Sequence, residues 1–444
     1  MIYRVISIVV LACCLASPGA AEEVETAEDS PVEFDEALEA DEDCVVDVDE
    51  EEDAGEDCAV DFDEELDEVE IDVEGSIGDT EEERRGFGLN GDLRVSYVYA
   101  GDELRDVTIG GSDALRARWR IKATQGISES FRGVIRLAGT CSTINCDPEF
   151  IFQPEIPTST SVEEGQITID SAFLHWFKSD RFNVAVGRME TKFVARGGVY
   201  SKSIDRNNSN NLRINWTDGI HSTFKAKNGW DSHMIVQYNS ADGPGGVNRA
   251  PLDFSSSKSR VSYFFGFENL QSKRRLIQRA YDITYMPSSL LVDGLVGGPV
   301  DDYWGIVGRW ASRWPVRTEG WRIRVSGELG YAPNTPTKAA SGIVGTGDAD
   351  GFAWNVTASV MDFLPNHSIG INFARTEAGW LLSPQYSDNE RLFEIRYMWR
   401  PKDRLTVDIR GRLRDKLHDQ IIANPGRNRF DFYARVTWAF ELIE

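Results

Sequence analysis

Beyond its first few residues the sequence has no apolar run approaching the ~20 residues that a membrane-crossing helix requires, which excludes a bundle of transmembrane helices. Histidine is scarce: His175, His221, His233, His367 and His418 are scattered along 444 residues. The six cysteines match none of the usual zinc spacings, and both facts argue against a structural metal site. No Gly-x-Ser-x-Gly elbow is present, and no His stands near Ser or Asp beyond chance neighbours such as His418 with Asp415 and Asp419, so the chain reads as a non-enzyme without a cofactor. "GIVGTG" at 342–347 has no flanking strand and helix in phosphate-binding arrangement and reads as a loop.

Lysine and arginine are missing altogether from residues 22–83, which hold 33 Asp and Glu. Charge of one sign with few aromatics cannot be offset by a buried core, so this stretch is expected to be disordered. It contains a weak repeat, "DCVVDVDEEED" from Asp43 and "DCAVDFDEELD" from Asp57. The alternating Asp47, Asp49, Asp61 and Asp63 resemble calcium-loop ligands, but Glu52 and Leu66 stand where the turning glycine belongs. A solvated polyanion, at most holding divalent cations loosely, is the preferred reading. The rest of the chain, 84–444, carries 40 acidic and 46 basic residues, so the net charge of −26 misrepresents both parts.

The N-terminus has Arg4, the apolar run "ISIVVLACCLA" and small residues up to Ala21, the anatomy of a secretory signal peptide. A lipoprotein box ending in Cys13 is the alternative, disfavoured by the short run and by Leu11. Four cysteines then remain, in two close pairs, Cys44 with Cys58 and Cys141 with Cys146, as expected of exported disulfides.

From Phe87 the texture is one of short alternating segments. "ALRARWRIKAT" at 114–124 puts Arg116, Arg118, Arg120 and Lys122 on one parity, with Leu115, Trp119 and Ile121 on the other. Period two means a β-strand with one apolar and one basic face, and either a soluble sandwich or a membrane barrel could use it. Sixteen such strands are expected: 88–99, 115–124, 130–138, 167–177, 181–188, 219–226, 230–239, 260–269, 276–285, 303–310, 321–330, 352–361, 368–375, 391–399, 404–412 and 429–440. Their connections alternate between long, beginning with "GDELRDVTIGGSD", and short, such as "QGISE", "KSD", "KNG" and "RPKD". A sandwich has no reason for that alternation; a transmembrane barrel does, and an even count brings its C-terminus back to the short-turn side. The apolar parity, such as Leu93, Val95, Tyr97 and Tyr99, would then face lipid. Arg132, Arg136, Arg322, Arg324, Arg396, Arg410 and Arg412 would join the basic ladder inside. Asp170, Glu268, Asp282, Glu328, Glu394 and Asp408 share the inner parity as counter-charges.

Over about residues 86–440 the chain resembles a Gram-negative outer-membrane porin, through the sixteen-strand pattern, "SAFLHWFKSDRFNVAVGRMETKF" and the last strand "FDFYARVTWAF". That strand resembles the signal by which the barrel-assembly machinery inserts such proteins, although the chain continues as Glu441-Leu442-Ile443-Glu444 instead of ending on an aromatic. The resemblance implies an all-β, up-and-down antiparallel transmembrane barrel over 86–444, preceded by a signal peptide (1–21) and an acidic periplasmic segment (22–85). It also implies a homotrimer in contact with bilayer lipid and lipopolysaccharide, and no nucleic-acid partner. The third external loop of such barrels folds inward; here the matching stretch is 189–218. Its Glu190, Lys192, Arg196, Asp205 and Arg206 would carry charge at the constriction, and Gly197 and Gly198 would let it bend. The expected function is passive diffusion of small hydrophilic solutes, anionic or neutral, with anion preference and phosphate or another oxyanion as cargo. The alternatives are a cation-binding or scaffolding role of the acidic segment, including that of a gate for a basic lumen, and, least favoured, an outer-membrane hydrolase.

Overall fold

The computed structural model describes residues 86–443 apart from 105–106, 153–161, 209–211, 240–249, 255–259, 272–274, 296, 317–320 and 420–426. The signal peptide, the acidic segment, Cys44, Cys58, Asp47, Asp49, Asp61 and Asp63 lie outside the described residues.

Alternation along the chain becomes sixteen long strands: β1 Phe87–Leu104, β2 Val107–Ser128, β3 Phe131–Ser142, β4 Gln166–Ser179, β5 Phe182–Met189, β6 Thr217–Lys225, β7 Asp231–Tyr238 and β8 Val261–Asn269. They continue with β9 Leu276–Leu291, β10 Val300–Pro315, β11 Arg322–Tyr331, β12 Phe352–Leu364, β13 His367–Thr376, β14 Glu390–Lys402, β15 Leu405–Lys416 and β16 Arg427–Ile443. Each pairs antiparallel with the next, and β1 pairs with both β2 and β16, so that Tyr97 lies opposite Leu115 on one side and Ala434 on the other. Closure removes every sheet edge, the condition for a β-structure to stand in hydrocarbon.

All sixteen expected strands are present, several of them longer than expected. The first connection is the clear departure: "GDELRDVTIGGSD" is not a long loop but the tip of a hairpin, with Leu104 opposite Val107. Val107 and Thr108 are β-branched and keep the ladder going, while a register shift at Asp102/Glu103 leaves Ile109 as the extra residue. β9 likewise runs on to Leu291 through a bulge between Met286 and Leu290. The short turns follow their sequence chemistry. Gly229 and Asn366 take positive φ in the turns after β6 and β12, a backbone region that Gly and Asn enter at low cost.

The two faces are those of a barrel in lipid. On β13, Ile369, Ile371 and Phe373 are exposed while Ser368, Asn372 and Ala374 are buried. On β16, Phe430, Val436 and Trp438 point out and Asp431, Tyr433 and Arg435 point in. Arg118, Arg120, Arg396 and Arg410 rank among the largest fully buried side chains. This inverts a soluble protein, where large apolar residues fill the core and charges reach water.

Candidate functional site: the barrel interior

The loop joining β5 to β6 (190–216, here L3) runs inside the barrel, as expected for 189–218. It starts with Glu190, which accepts from Arg120 at 3.2 Å and Arg136 at 2.7 Å on the β2–β3 wall. Phe193 then lies against Ile235 and Phe264 on β7 and β8. The Arg196 amide donates to Gln278 Oε1 on β9 at 2.9 Å, and Ser359 Oγ on β12 donates to the Gly197 carbonyl at 2.6 Å. Tyr200 Oη donates to the Gly370 carbonyl on β13 at 3.1 Å, and Lys202 Nζ reaches Glu394 on β14 at 2.7 Å. On the way back Asp205 pairs with Arg309 on β10 at 2.9 Å and Arg206 donates to Gln237 on β7 at 2.8 Å. A two-residue strand pair, Lys192–Phe193 with Arg206–Asn207, closes the loop on itself.

The course is possible because the crossing points are small. Gly198 has φ of +86°, and a Cβ there would stand 2.7 Å from Met361 Sδ and 2.8 Å from Ser359 Cβ. L3 is also held by the loop between β13 and β14 (377–389, here L7). Trp380 Nε1 donates to the Ile204 carbonyl at 2.7 Å, and Leu381, Leu382 and Tyr386 join Ile204, Phe254, Leu290 and Tyr303 in one apolar cluster. Gly330 on β11 leaves the room: a Cβ would meet Trp380 at 2.7 Å. Burial, followed by the nearby Glu394 carboxylate, holds the Tyr200 phenol well above its ordinary pKa, so it remains a donor. Burial lowers the Arg206 guanidinium to about 10, against the opposing pull of Asp205 and Asp282.

The basic residues expected along the interior have the inward parity, and most of them stand beside a carboxylate. Asp92 pairs with Arg94 at 2.9 Å and with Arg118 at 3.0 Å; Asp170 pairs with Arg120 at 3.0 Å and with Arg136 at 2.8 Å. Asp408 pairs with Arg396 and Arg435, Asp431 with Arg412, Arg414 and Arg429, Glu164 with Arg116, and Asp362 with Arg322. Arg410 lies 3.8 Å from Glu394. Arg132 stacks over Phe177 at 5.1 Å, Lys122 lies opposite Arg136 across the β2–β3 ladder, and Arg324 lies opposite Arg313 on β10. The anticipated counter-charges therefore act on named partners: Asp170, Glu394 and Asp408 on the ladder, Asp282 and Glu328 on Arg309, and Glu268 on His233.

Like charges nevertheless meet across strands. Arg396 is opposite Arg410, Arg94 opposite Arg118, and Lys122 opposite Arg136. These three contacts fall on one continuous wall, β14–β15–β16–β1–β2–β3, which the closure brings together from both ends of the chain, while Arg313 and Arg324 oppose each other elsewhere in the ring. Directly opposed like charges destabilise a sheet unless carboxylates, water or counter-ions screen them.

Several important residues were not anticipated. Arg94 and Arg309 have the inward parity that would have revealed them; Tyr200, Lys202 and Trp380 act through contacts that no local pattern encodes. His221 and His233, scattered in sequence, stand side by side on β6 and β7 with 3.2 Å between Nε2 and Nδ1. Cys141 and Cys146 form the expected disulfide at the start of the β3–β4 loop.

A closed antiparallel barrel with an apolar outside, a charged inside and an infolded loop is a transmembrane β-barrel. No family model and no curated protein sequence matches the chain. Among solved structures it is similar to Pseudomonas putida OprB, with a TM-score of 0.53 and 10% identity over 80% of this chain and 94% of that one. A BenF-like porin from Pseudomonas fluorescens Pf-5 gives 0.49 at 11% identity, covering 81% and 99%, and Pseudomonas aeruginosa OpdQ gives 0.46 at 11%, covering 80% and 98%. The chain has the fold of a Gram-negative outer-membrane porin.

Proposed function

We propose that this barrel is a water-filled outer-membrane channel for passive diffusion of small hydrophilic solutes, and that it prefers anions. The observation that carries the preference is the wall from β14 through β1 to β3, where arginine and lysine outnumber the carboxylates and oppose one another at Arg396/Arg410, Arg94/Arg118 and Lys122/Arg136. Fixed positive charge in a confined aqueous space raises the local anion concentration and repels cations. L3 lies against the walls from β7 to β14, so the passage is assigned to the remaining, basic side, with Glu190 narrowing it. Phosphate and other oxyanions are the proposed cargo because guanidinium forks bind them bidentately, in competition with the carboxylates that hold these arginines.

The test is the reversal potential of the reconstituted protein in a planar bilayer under a KCl gradient. Chloride permeability above that of potassium is expected. A zero or potassium-directed potential would refute anion preference, and folded protein that conducts nothing would refute the channel. Insertion by the barrel-assembly machinery, contact with lipopolysaccharide and assembly as a homotrimer belong to the same proposal. They rest on the last strand and on the resemblance.

A further inference from the structure

β6 and β7 are neighbours whose register places Thr223 directly opposite His233, with His221 two residues along on the same inward face. Three donor atoms converge as a result. His221 Nε2 and His233 Nδ1 are 3.2 Å apart, Thr223 Oγ1 is 3.3 Å from His233 Nδ1, and it is 3.5 Å from His221 Nε2. Two imidazole nitrogens bound to one tetrahedral zinc at 2.0–2.1 Å lie about 3.3–3.4 Å from each other, so the triangle already has the dimensions of one face of such a site. The outer nitrogen of His233 faces Glu268 Oε1 at 3.6 Å, the kind of carboxylate that orients a ligating imidazole and raises its basicity. Phe193 of L3 lies edge-on, its ring 5.0 Å from His233 and 6.1 Å from His221, and gives the pair a dry flank.

We infer that His221, His233 and Thr223 form a lumenal site for a divalent transition metal that favours imidazole, such as Zn2+, with water completing the shell. Among the described residues no cluster of three His, Cys, Asp or Glu is close enough to hold a metal ion, and the third protein donor here is a hydroxyl. The site is therefore open and exchangeable, unlike closed structural zinc centres. Its place beside Phe193 couples occupancy to the seat of L3, and the bound ion adds two positive charges to the lumen. The inference rests on donor geometry and does not depend on the channel reading.

The test uses the full chain folded in detergent, near neutral pH, where imidazole is largely deprotonated. Titration with CoCl2 is expected to give the intense visible bands of four-coordinate cobalt, saturating at one equivalent; carboxylates of the acidic segment would give only the weak spectrum of a six-coordinate ion. Calorimetry with ZnCl2 is expected to show at least a tenfold loss of affinity in His221→Gln and in His233→Gln, and no change in His367→Gln. Heat-modifiable electrophoretic mobility identifies folded variants. If a variant fails to fold, the cobalt spectrum of the unaltered protein decides alone. Absence of that spectrum, or unchanged zinc affinity in both folded variants, would overturn the site and leave two neutral imidazoles sharing a hydrogen bond.

Discussion

Lys202→Met should let the tip of L3 undock more often while leaving the barrel intact. The Lys202 ammonium and the Glu394 carboxylate are 2.7 Å apart, with side-chain exposures of 3% and 0%, so neither has bulk water as a substitute partner. Removing one member of a buried pair costs about 3–5 kcal/mol. Arg410, 3.8 Å from Glu394, retains part of the compensation, which brings the expected cost to about 2–3 kcal/mol. At about 1.4 kcal/mol per factor of ten, the undocked population of the loop should rise by about 30- to 150-fold. The Tyr200 contacts to Gly370 and Glu394 and the Ser359 contact to Gly197 keep the docked state in the majority. Single-channel recordings should then show added flicker and a larger mean conductance, and protease should cleave within 196–204 faster. The ladder hydrogen bonds do not involve Lys202, so heat-modifiable mobility should not change. Unaltered noise, conductance and cleavage in Lys202→Met and in the double variant with Tyr200→Phe would refute the idea that these contacts hold L3.

Further outcomes follow from the same geometry. Gly198→Val puts a branched side chain at positive φ, where a Cβ already meets Met361 and Ser359. It should cost more than the ~1–2 kcal/mol of the backbone conformation alone and reproduce the L3 release, seen as the same protease sensitivity. Ile395→Arg, on the exposed face of β14 and opposite Ile371, should destabilise the barrel by about 2–4 kcal/mol if it faces hydrocarbon, read as a lower urea midpoint for unfolding from vesicles; no shift would place β14 away from lipid. Replacing Cys141 and Cys146 by Ser should loosen only the start of the β3–β4 loop, by about 2 kcal/mol for so short a ring, detectable by proteolysis of that loop without a change in barrel unfolding. Deleting residues 22–83 should leave the sign of the reversal potential unchanged if the arginine wall sets it; a changed sign or open probability would make the acidic segment a gate.

The number and position of the strands were legible because alternation is local: "ALRARWRIKAT" declares a strand with a basic and an apolar face wherever it ends up. The first connection was misjudged for the same local reason. Gly and Asp suggest a loop, but β-branched residues on one arm and a partner on the other extended the hairpin to Leu104 and Val107. The interior was legible only as a list. Parity marked Arg396, Arg410 and Asp408 as inward, and register decided that Asp408 binds Arg396 and Arg435.

By itself, then, the sequence determined the all-β class, the strand count and the lipid and lumen faces, since each depends on residues within a few positions of one another. Tertiary closure decided the rest. Joining β16 to β1 set Arg435 opposite Ser96, and the inward course of L3 brought Lys202 to Glu394 and Asp205 to Arg309. The β6–β7 register brought His221 to His233. Such contacts depend on where the ring closes and on how strands slide past one another, quantities summed over the whole barrel that no single segment carries.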